Sequence, residues 1–332
     1  MAPERPSSAP LPDRPVDLVV EIGRGLSLQN PVIAAAGTFG FGVEHAALVD
    51  VNQLGAICTR GVTLQPRAGN RPPRTADSPA GLLNAVGLQN PGVDAVVERY
   101  AETWAAWRVP VIVNLAADSV AGFVELVQRL EGVAGVAGVE LNLSCPNAAT
   151  GVQFALDANA AGAVTAAVRR ATDLPLLVKL SANAADIRPI ARAIADGGAD
   201  ALSAVNTVAG VAVAPDRDRL LLDTVYGGLS GPAIKPIALR VVAEVAQVVD
   251  IPVIGMGGVA GFDDVLDFLA VGAVAVGVGT ALFADPGLPI RLVDELTAEC
   301  RRRELSSYGP LIGTALPKRK LAPSTRGVEY RP

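Results

Sequence analysis

Short apolar runs recur along the chain and alternate with amphipathic segments. Eight runs are nearly continuous in apolar character, which is typical of parallel strands covered by helices on both faces. They lie at residues 31–37, 55–60, 110–115, 138–144, 175–181, 200–206, 251–258 and 273–279. Helical patterns lie between them, at residues 93–107, 119–130, 159–171, 184–196 and 234–249. Eight successive β-α units predict the α/β class and, within it, a TIM (β/α)8 barrel.

The chain has 332 residues, enough for one barrel of about 250 residues with additions. We assign residues 17–305 to a single barrel domain and residues 306–332 to a C-terminal tail. The proline-rich residues 1–16 are expected to form a disordered tail that is neither a secretory signal nor a membrane anchor. The most hydrophobic run, residues 268–284, is interrupted by glycines and is shorter than the about 20 residues of a membrane span. A buried strand with flanking turns is therefore expected there.

Charge and cysteine content narrow the range of partners. The net charge is -5 and 4% of residues are aromatic, which argues against a basic, base-stacking groove for nucleic acid. A small-molecule partner is expected instead. Cys58, Cys145 and Cys300 are widely spaced and form no CxxC pair, so neither a disulfide framework nor a metal site is predicted. A reducing, cytoplasmic location fits this pattern.

Polar residues follow several of the predicted strands at the point where each ends. In a TIM barrel these positions face the active site, because the βα loops open on that rim. A lysine or arginine at the end of an apolar strand is uncommon unless it has a partner. The positions are Arg60, Asn114, Asn142, Lys179 and Asn206. As a set they predict a functional site at the C-terminal ends of the strands.

Two long connections and three glycine-rich turns border the same rim. Residues 61–91 and 207–232 are long enough to act as lids or binding loops at the active-site face. The turns GMGGVAG (255–261) and VGVGT (276–280) follow the seventh and eighth strands, where this barrel usually binds phosphate. The turn GGLSG (227–231) offers another place where backbone can approach a ligand. A phosphorylated substrate or cofactor is therefore expected.

The motif LNLSCPN (141–147) places Cys145 directly after a strand. A nucleophilic thiol normally needs a neighbouring base, and the one histidine of the chain, His45, is expected on the surface of the first helix. A thiol that transfers a proton needs only to lie within hydrogen-bond reach of the substrate. From the residues alone, inert packing, a nucleophile and a proton-transfer group all stay open.

Five motifs together resemble the dihydroorotate dehydrogenase family, and within it the soluble, NAD-linked class 1B. They are LNLSCPN, SPAGLLNAVGLQNPG (78–92), VKLSANAADI (178–187), GGLSGPAIKP (227–236) and IPVIGMGGV (251–259). The resemblance extends from about residue 17 to 295. It implies an FMN-containing barrel, a flavoprotein that oxidises (S)-dihydroorotate to orotate in pyrimidine biosynthesis. It also implies that Cys145 is the general base while hydride leaves for the flavin.

The resemblance assigns site residues position by position. The positions expected to contact dihydroorotate or orotate are Asn84, Gly87, Leu88, Asn142, Asn147, Asn206 and Thr207. The positions expected around FMN are Gly37, Arg60, Asn114, Asn142, Lys179, Ser230, Gly231, Gly257, Gly258, Gly279 and Thr280, the last four at its phosphate. Three positions depart from the family pattern. The family commonly has lysine at Arg60, threonine at Val62 and glycine at Ala117.

The resemblance further implies a homodimer within a heterotetramer, whose second subunit carries FAD and an iron-sulfur cluster and passes electrons to NAD. The cluster must lie on that partner, because a two-iron cluster takes four cysteine ligands and this chain has three cysteines. Three alternatives are a fumarate-dependent homodimeric dihydroorotate dehydrogenase, a flavin barrel that reduces uridine in RNA, and a non-redox phosphate-binding barrel.

Overall fold

The computed structural model describes residues 15–144 and 153–317. Within them the strands are β1 (Val20–Gly23), β2 (Leu26–Leu28), β3 (Val32–Ala34), β4 (Ala56–Cys58), β5 (Thr75–Ser78), β6 (Gly81–Asn84), β7 (Val111–Leu115), β8 (Val136–Asn142), β9 (Leu176–Leu180), β10 (Ala201–Ala204), β11 (Val208–Gly210), β12 (Gly227–Ser230), β13 (Val253–Met256) and β14 (Ala275–Val278). Eight of these described strands close into a parallel barrel in the order β3-β4-β7-β8-β9-β10-β13-β14. The predicted TIM barrel and its eight strands are confirmed.

Helices surround the barrel. In the described residues they are α1 (Val93–Ala105), α2 (Val120–Leu130), α3 (Ala158–Arg169), α4 (Ile187–Asp196), α5 (Lys235–Ala246), α6 (Phe262–Ala270) and α7 (Leu288–Arg302). Helix α2 illustrates how the sequence specifies the start of a helix and its buried face. The Ser119 side chain accepts a hydrogen bond from the Gly122 N–H and caps the helix. Phe123, Val127 and Leu130 then recur at helical spacing and are buried.

The connection between β3 and β4 is not helical. Residues 35–50 form turns, and His45 stacks on Phe39 with ring centroids 4.1 Å apart. The prediction that His45 lies on the surface of a first α-helix was wrong. Gly40 and Gly42 have φ angles of 58° and 90°, and residues in this left-handed region interrupt a right-handed helix.

The most hydrophobic run, residues 268–284, is divided among three elements. It comprises the end of α6, the buried strand β14 and a 3-10 turn at Thr280–Phe283. The predicted buried strand with flanking turns is therefore present. Of the helices in residues 15–144 and 153–317, none is both long enough and apolar enough to span a bilayer.

The N-terminal ends of the barrel strands are covered by two segments. Strands β1 and β2 form an antiparallel hairpin there, and Leu26 and Leu28 are buried. Residues 306–317, which the sequence analysis assigned to the C-terminal tail, also pack on the barrel. The Tyr308 hydroxyl donates to the Val274 carbonyl at 2.9 Å, and the Gly313 N–H donates to Leu269 at 2.8 Å. The domain boundaries themselves stay a prediction.

The two long connections pair with each other over the C-terminal ends of the barrel strands. Residues 61–91 contribute β5 and β6, residues 207–232 contribute β11 and β12, and the four strands form an antiparallel sheet in the order β11-β12-β6-β5. We call it the cover sheet. The Asn84 side chain fixes its register by donating to the Gly228 carbonyl at 3.0 Å. Through the cover sheet, the two long connections together form one wall of the site below.

Candidate active site

A cavity of about 390 Å³ opens between the C-terminal ends of the barrel strands and the cover sheet. This volume is within the range of ligand sites, about 300–1,000 Å³. All the predicted site residues that the structure describes lie on its wall. They are Gly37, Arg60, Asn84, Gly87, Leu88, Asn114, Asn142, Lys179, Asn206, Thr207, Ser230, Gly231, Gly257, Gly258, Gly279 and Thr280. The remaining two, Cys145 and Asn147, lie outside the described residues.

An amide cluster follows β8 and β10. The Asn206 Nδ2 group donates to Asn142 Oδ1 at 3.1 Å and to Ser144 Oγ at 2.9 Å. The Thr207 N–H donates to Asn206 Oδ1 at 2.8 Å, which fixes the amide orientation. Among residues 15–144 and 153–317, no acceptor takes a hydrogen bond from Asn142 Nδ2, and this donor suits a ligand. A planar ring with carbonyl oxygens would suit this wall, because an amide offers both donor and acceptor groups.

The segment from Asn84 to Gln89 forms a second wall. It turns at Gly87 and Leu88, whose φ angles are 75° and 54°. Asn90 holds the turn from below, since its Nδ2 group donates to the Leu88 carbonyl at 2.7 Å and to Thr63 Oγ1 at 2.8 Å. Arg74 holds it from the side with a hydrogen bond of 2.8 Å to Gln89. The backbone of this wall is therefore fixed before any ligand arrives.

Free backbone donors meet where β13 and β14 end at the cavity. In the described part of the chain, the N–H groups of Gly257, Gly258, Gly279 and Thr280 donate to no backbone carbonyl. The φ angles of Gly257 and Gly258 are 118° and 91°, a region that side chains rarely allow. These N–H groups form a cup that suits a phosphate.

A layer of polar side chains lies inside the barrel, directly under the cavity. Glu140 on β8 accepts from Asn114 Nδ2 at 2.6 Å, from Ser203 Oγ at 2.6 Å and from Cys58 Sγ at 3.2 Å. Its Oε1 atom lies 3.8 Å from the Lys179 ammonium, and both side chains are buried. Burial, followed by the charge of Glu140, raises the pKa of Cys58 well above its usual range, so this thiol stays neutral and donates.

Sequence reasoning missed Glu140, although a signal for it was present. Glu140 precedes Asn142 by two residues on β8, and residues two apart on a strand face the same side. A charged residue inside an apolar strand, on the face of a predicted ligand residue, indicated a buried partner for one of the cations.

The chain matches a known protein family over most of its length. The model of the dihydroorotate dehydrogenase family matches residues 18–300. The chain is 47% identical over 292 residues to the dihydroorotate dehydrogenase B (NAD(+)) catalytic subunit of Desulforudis audaxviator, covering 88% of this chain and 95% of the relative. The subunit of the same name from Geobacter sulfurreducens is 47% identical over 298 residues, covering 90% and 97%. The chain belongs to the dihydroorotate dehydrogenase family.

Membership of the dihydroorotate dehydrogenase family indicates which class of ligand the cavity can bind. The relative from Porphyromonas gingivalis, which carries the same catalytic-subunit name, is 45% identical over 296 residues, covering 89% of this chain and 96% of the relative. The family is one of flavoproteins. Both the phosphate cup and the buried Lys179 line this cavity. A side chain at Gly37 would meet no protein atom within 4 Å, so the cavity is open at this position too.

Arg60 is the cavity position at which the family resemblance implies lysine as the common residue. Its backbone N–H donates to the Gly40 carbonyl at 2.9 Å, and its side chain lies half-buried on the cavity wall. Across the described ranges, no acidic side chain forms an ion pair with it. A guanidinium without a protein counterion is suited to an anionic ligand.

Proposed function

We propose that this chain is the catalytic subunit of an NAD-linked dihydroorotate dehydrogenase. It binds FMN and oxidises (S)-dihydroorotate to orotate in pyrimidine biosynthesis, in the cytoplasm. The observation that carries the proposal is the single cavity at the barrel rim. Its wall combines free backbone donors for a phosphate, a buried lysine, and an amide cluster for a planar ring.

The residues present fit FMN, and each group of residues has a role in holding it. The N–H groups of Gly257, Gly258, Gly279 and Thr280 would hold the phosphate. Asn114 and Lys179 would lie against the ring system, where a buried cation stabilises developing negative charge. Gly37, Ser230 and Gly231 would allow close approach of the cofactor. When bound, FMN supplies a two-electron acceptor for hydride.

The amide cluster and the Asn84–Gln89 wall would orient the substrate. Asn84, Gly87, Leu88, Asn142, Asn206 and Thr207 would contact its ring and carboxylate, and Asn147 would complete the set. Arg60 would bind the carboxylate. In this arrangement the oxidation separates into two transfers, because hydride leaves one carbon of the substrate for the flavin while a proton leaves the neighbouring carbon.

Cys145 is proposed as the group that removes this proton. It follows the amide cluster along the chain, three residues after Asn142. With Cys145→Ala, we expect FMN to stay bound while substrate-dependent reduction slows by about 100-fold or more, the range for loss of a general base. Stopped-flow absorbance measures this rate. Reduction at the wild-type rate would refute the assignment of Cys145.

The chain is proposed to work as a homodimer that joins a second subunit into a heterotetramer. The relatives are named catalytic subunits of an NAD(+) enzyme, which supports a separate electron-transfer partner. That partner would carry FAD and an iron-sulfur cluster and pass electrons to NAD. Cys58 and Cys300 of this chain are buried, which supports a cluster located on the other subunit.

The assay that tests the proposed function uses the chain purified alone. We expect it to contain FMN and to oxidise dihydroorotate with an artificial dye as acceptor. Fumarate should not replace the dye, and NAD should be reduced only when an FAD and iron-sulfur partner is added. Rapid fumarate turnover would instead identify a fumarate-dependent homodimer. Protein that neither binds FMN nor oxidises dihydroorotate would support a non-redox phosphate-binding barrel.

A further inference from the structure

Glu140 is a buried carboxylate that the proposed reaction does not use. It touches no substrate position, since it lies one inward-facing layer below Asn142 on the same strand, about 7 Å deeper in the barrel. Its side chain is 2% exposed. Burying a charge in a barrel interior is costly unless it is paired and hydrogen-bonded. The groups around Glu140 must therefore offset the cost of burying its charge.

The surroundings of Glu140 satisfy an ionised carboxylate. One oxygen accepts from Asn114 Nδ2 and Cys58 Sγ, and the other accepts from Ser203 Oγ. Lys179 Nζ lies 3.8 Å from the first oxygen. Three donors and one cation match an acceptor-only group.

Two of these neighbours are cavity residues, so Glu140 acts on the cavity through them. By accepting from Asn114 Nδ2, Glu140 fixes the amide so that Oδ1 lies near Gly61, where a Cβ built on Gly61 would come within 3.2 Å. Gly61 and Asn114 both line the cavity. Glu140 also holds the Lys179 ammonium from below and offsets part of its charge. Lys179 therefore presents less positive potential to a ligand than an unpaired lysine would.

We propose that Glu140 is a positioning residue that orients Asn114 and Lys179 and lowers the midpoint potential of the flavin bound above them. This inference rests on the proposed function, because it requires FMN in the cavity. Its physical basis is the sign of the charge. A carboxylate under the ring disfavours the added negative charge of the reduced cofactor, and effective dielectric constants of about 20 leave such interactions strong inside proteins.

The test is the midpoint potential of FMN in Glu140→Gln, measured by reductive titration against reference dyes. Glutamine keeps the shape of glutamate and removes the charge. We expect binding of reduced relative to oxidised FMN to strengthen about tenfold, which raises a two-electron potential by about 30 mV. Glu140→Asp keeps the charge, and its potential should stay close to that of the wild type. An unchanged potential in Glu140→Gln would overturn the inference.

Asp200→Asn is the matched control. Asp200 is another carboxylate in an ion pair, bound by Arg169 at 2.9 Å and by the Leu176 N–H at 2.8 Å, but it directly precedes β10 at the N-terminal ends of the strands and does not line the cavity. This substitution should lower stability and leave the potential unchanged. A rise equal to that of Glu140→Gln would show a general effect of disturbing the barrel and would overturn the role of Glu140.

A second pair of variants covers the case in which Glu140→Gln does not fold, since removing one partner of a buried ion pair is destabilising. Lys179→Gln, in which the Glu140 carboxylate keeps its three hydrogen-bond donors, is compared with the double variant Glu140→Gln/Lys179→Gln, whose buried pair is neutral. The double variant should have the higher potential, and equal potentials would overturn the inference.

Wild-type protein that does not bind FMN would overturn the proposed function itself. If dihydroorotate reduces the FMN bound to the wild type but the variants show no shift in midpoint potential, only the inference about Glu140 would be overturned.

Discussion

Arg60 shows how one residue can adapt a family site. Its guanidinium lies on the cavity wall, at the position where the family resemblance implies a lysine. A guanidinium binds a carboxylate through two parallel hydrogen bonds, whereas an ammonium acts as a point charge. We therefore expect Arg60 to anchor the carboxylate of dihydroorotate more rigidly than lysine does.

Arg60→Met should raise the KM for dihydroorotate by about 10- to 100-fold, because a charge-assisted hydrogen bond contributes about 1.5–3 kcal/mol. Arg60→Lys keeps the charge, and its KM should rise by less than about tenfold. Steady-state kinetics with dye as acceptor measure both values. Arg71→Met, at an exposed position of the same connection, is the control and should leave KM unchanged. A wild-type KM in Arg60→Met would contradict the anchoring role.

At the scale of elements, the cover sheet positions the substrate wall. Gly228 on β12 pairs with Asn84 on β6 and packs against Thr207. A Cβ at residue 228 would lie 2.1 Å from Thr207 Oγ1 and 2.7 Å from Thr207 Cβ. Because Thr207 is held through its own backbone by Asn206, it cannot move away freely. Any side chain at residue 228 should therefore displace a proposed substrate contact.

Gly228→Ala should raise the KM for dihydroorotate about 5- to 100-fold, since such overpacking costs about 1–3 kcal/mol. The FMN content should stay unchanged, because neither Gly228 nor Thr207 is proposed to hold FMN. Gly210→Ala on β11 is the matched control. Its Cβ would approach Leu83 Cδ1 at 3.3 Å, a flexible side-chain end that can shift. Equal KM values in the two variants would reject the role of Gly228.

The barrel strands could be predicted from sequence, but the cover sheet could not. The barrel strands are apolar at nearly every position, as VIVNL of β7 and LLVKL of β9 show. The cover strands are short and read TADS, GLLN, VAG and GGLS, without the alternation that marks a strand. Their pairing joins residues 144 apart, such as Asn84 and Gly228. The partners of Glu140 could not be predicted either, because they lie on four other strands, β4, β7, β9 and β10, that meet only in the closed barrel.

At the scale of the whole molecule, the last helix, α7, ends in a cluster of charged side chains. The Glu299 carboxylate accepts hydrogen bonds of 2.6 Å from both Arg302 and Arg303. The Arg302 hydrogen bond, opposed by burial and assisted by Arg303, lowers the pKa of Glu299 from 4.5 to about 2. The two arginines are largely exposed, so solvent screening reduces the contribution of the cluster to stability.

Glu299→Gln should therefore lower the free energy of unfolding by about 1 kcal/mol at neutral pH. A pKa that is lower in the folded chain stabilises it above the unfolded value of 4.5, and this stabilisation is lost as the pH falls toward about 2. The difference between wild type and variant should shrink across that interval in urea unfolding experiments. Glu304→Gln, at an exposed position after α7, should show no difference. A constant gap between wild type and Glu299→Gln from pH 7 to pH 3 would contradict this role.

The central claim is that one cavity at the barrel rim brings FMN and dihydroorotate together. The most direct measurement is an anaerobic titration of the purified, FMN-containing chain with dihydroorotate, followed by visible absorption and by analysis of the product. We expect the oxidised flavin band to bleach in proportion to added dihydroorotate, with one orotate formed for each flavin reduced. A flavin band that dihydroorotate leaves unchanged would contradict the account.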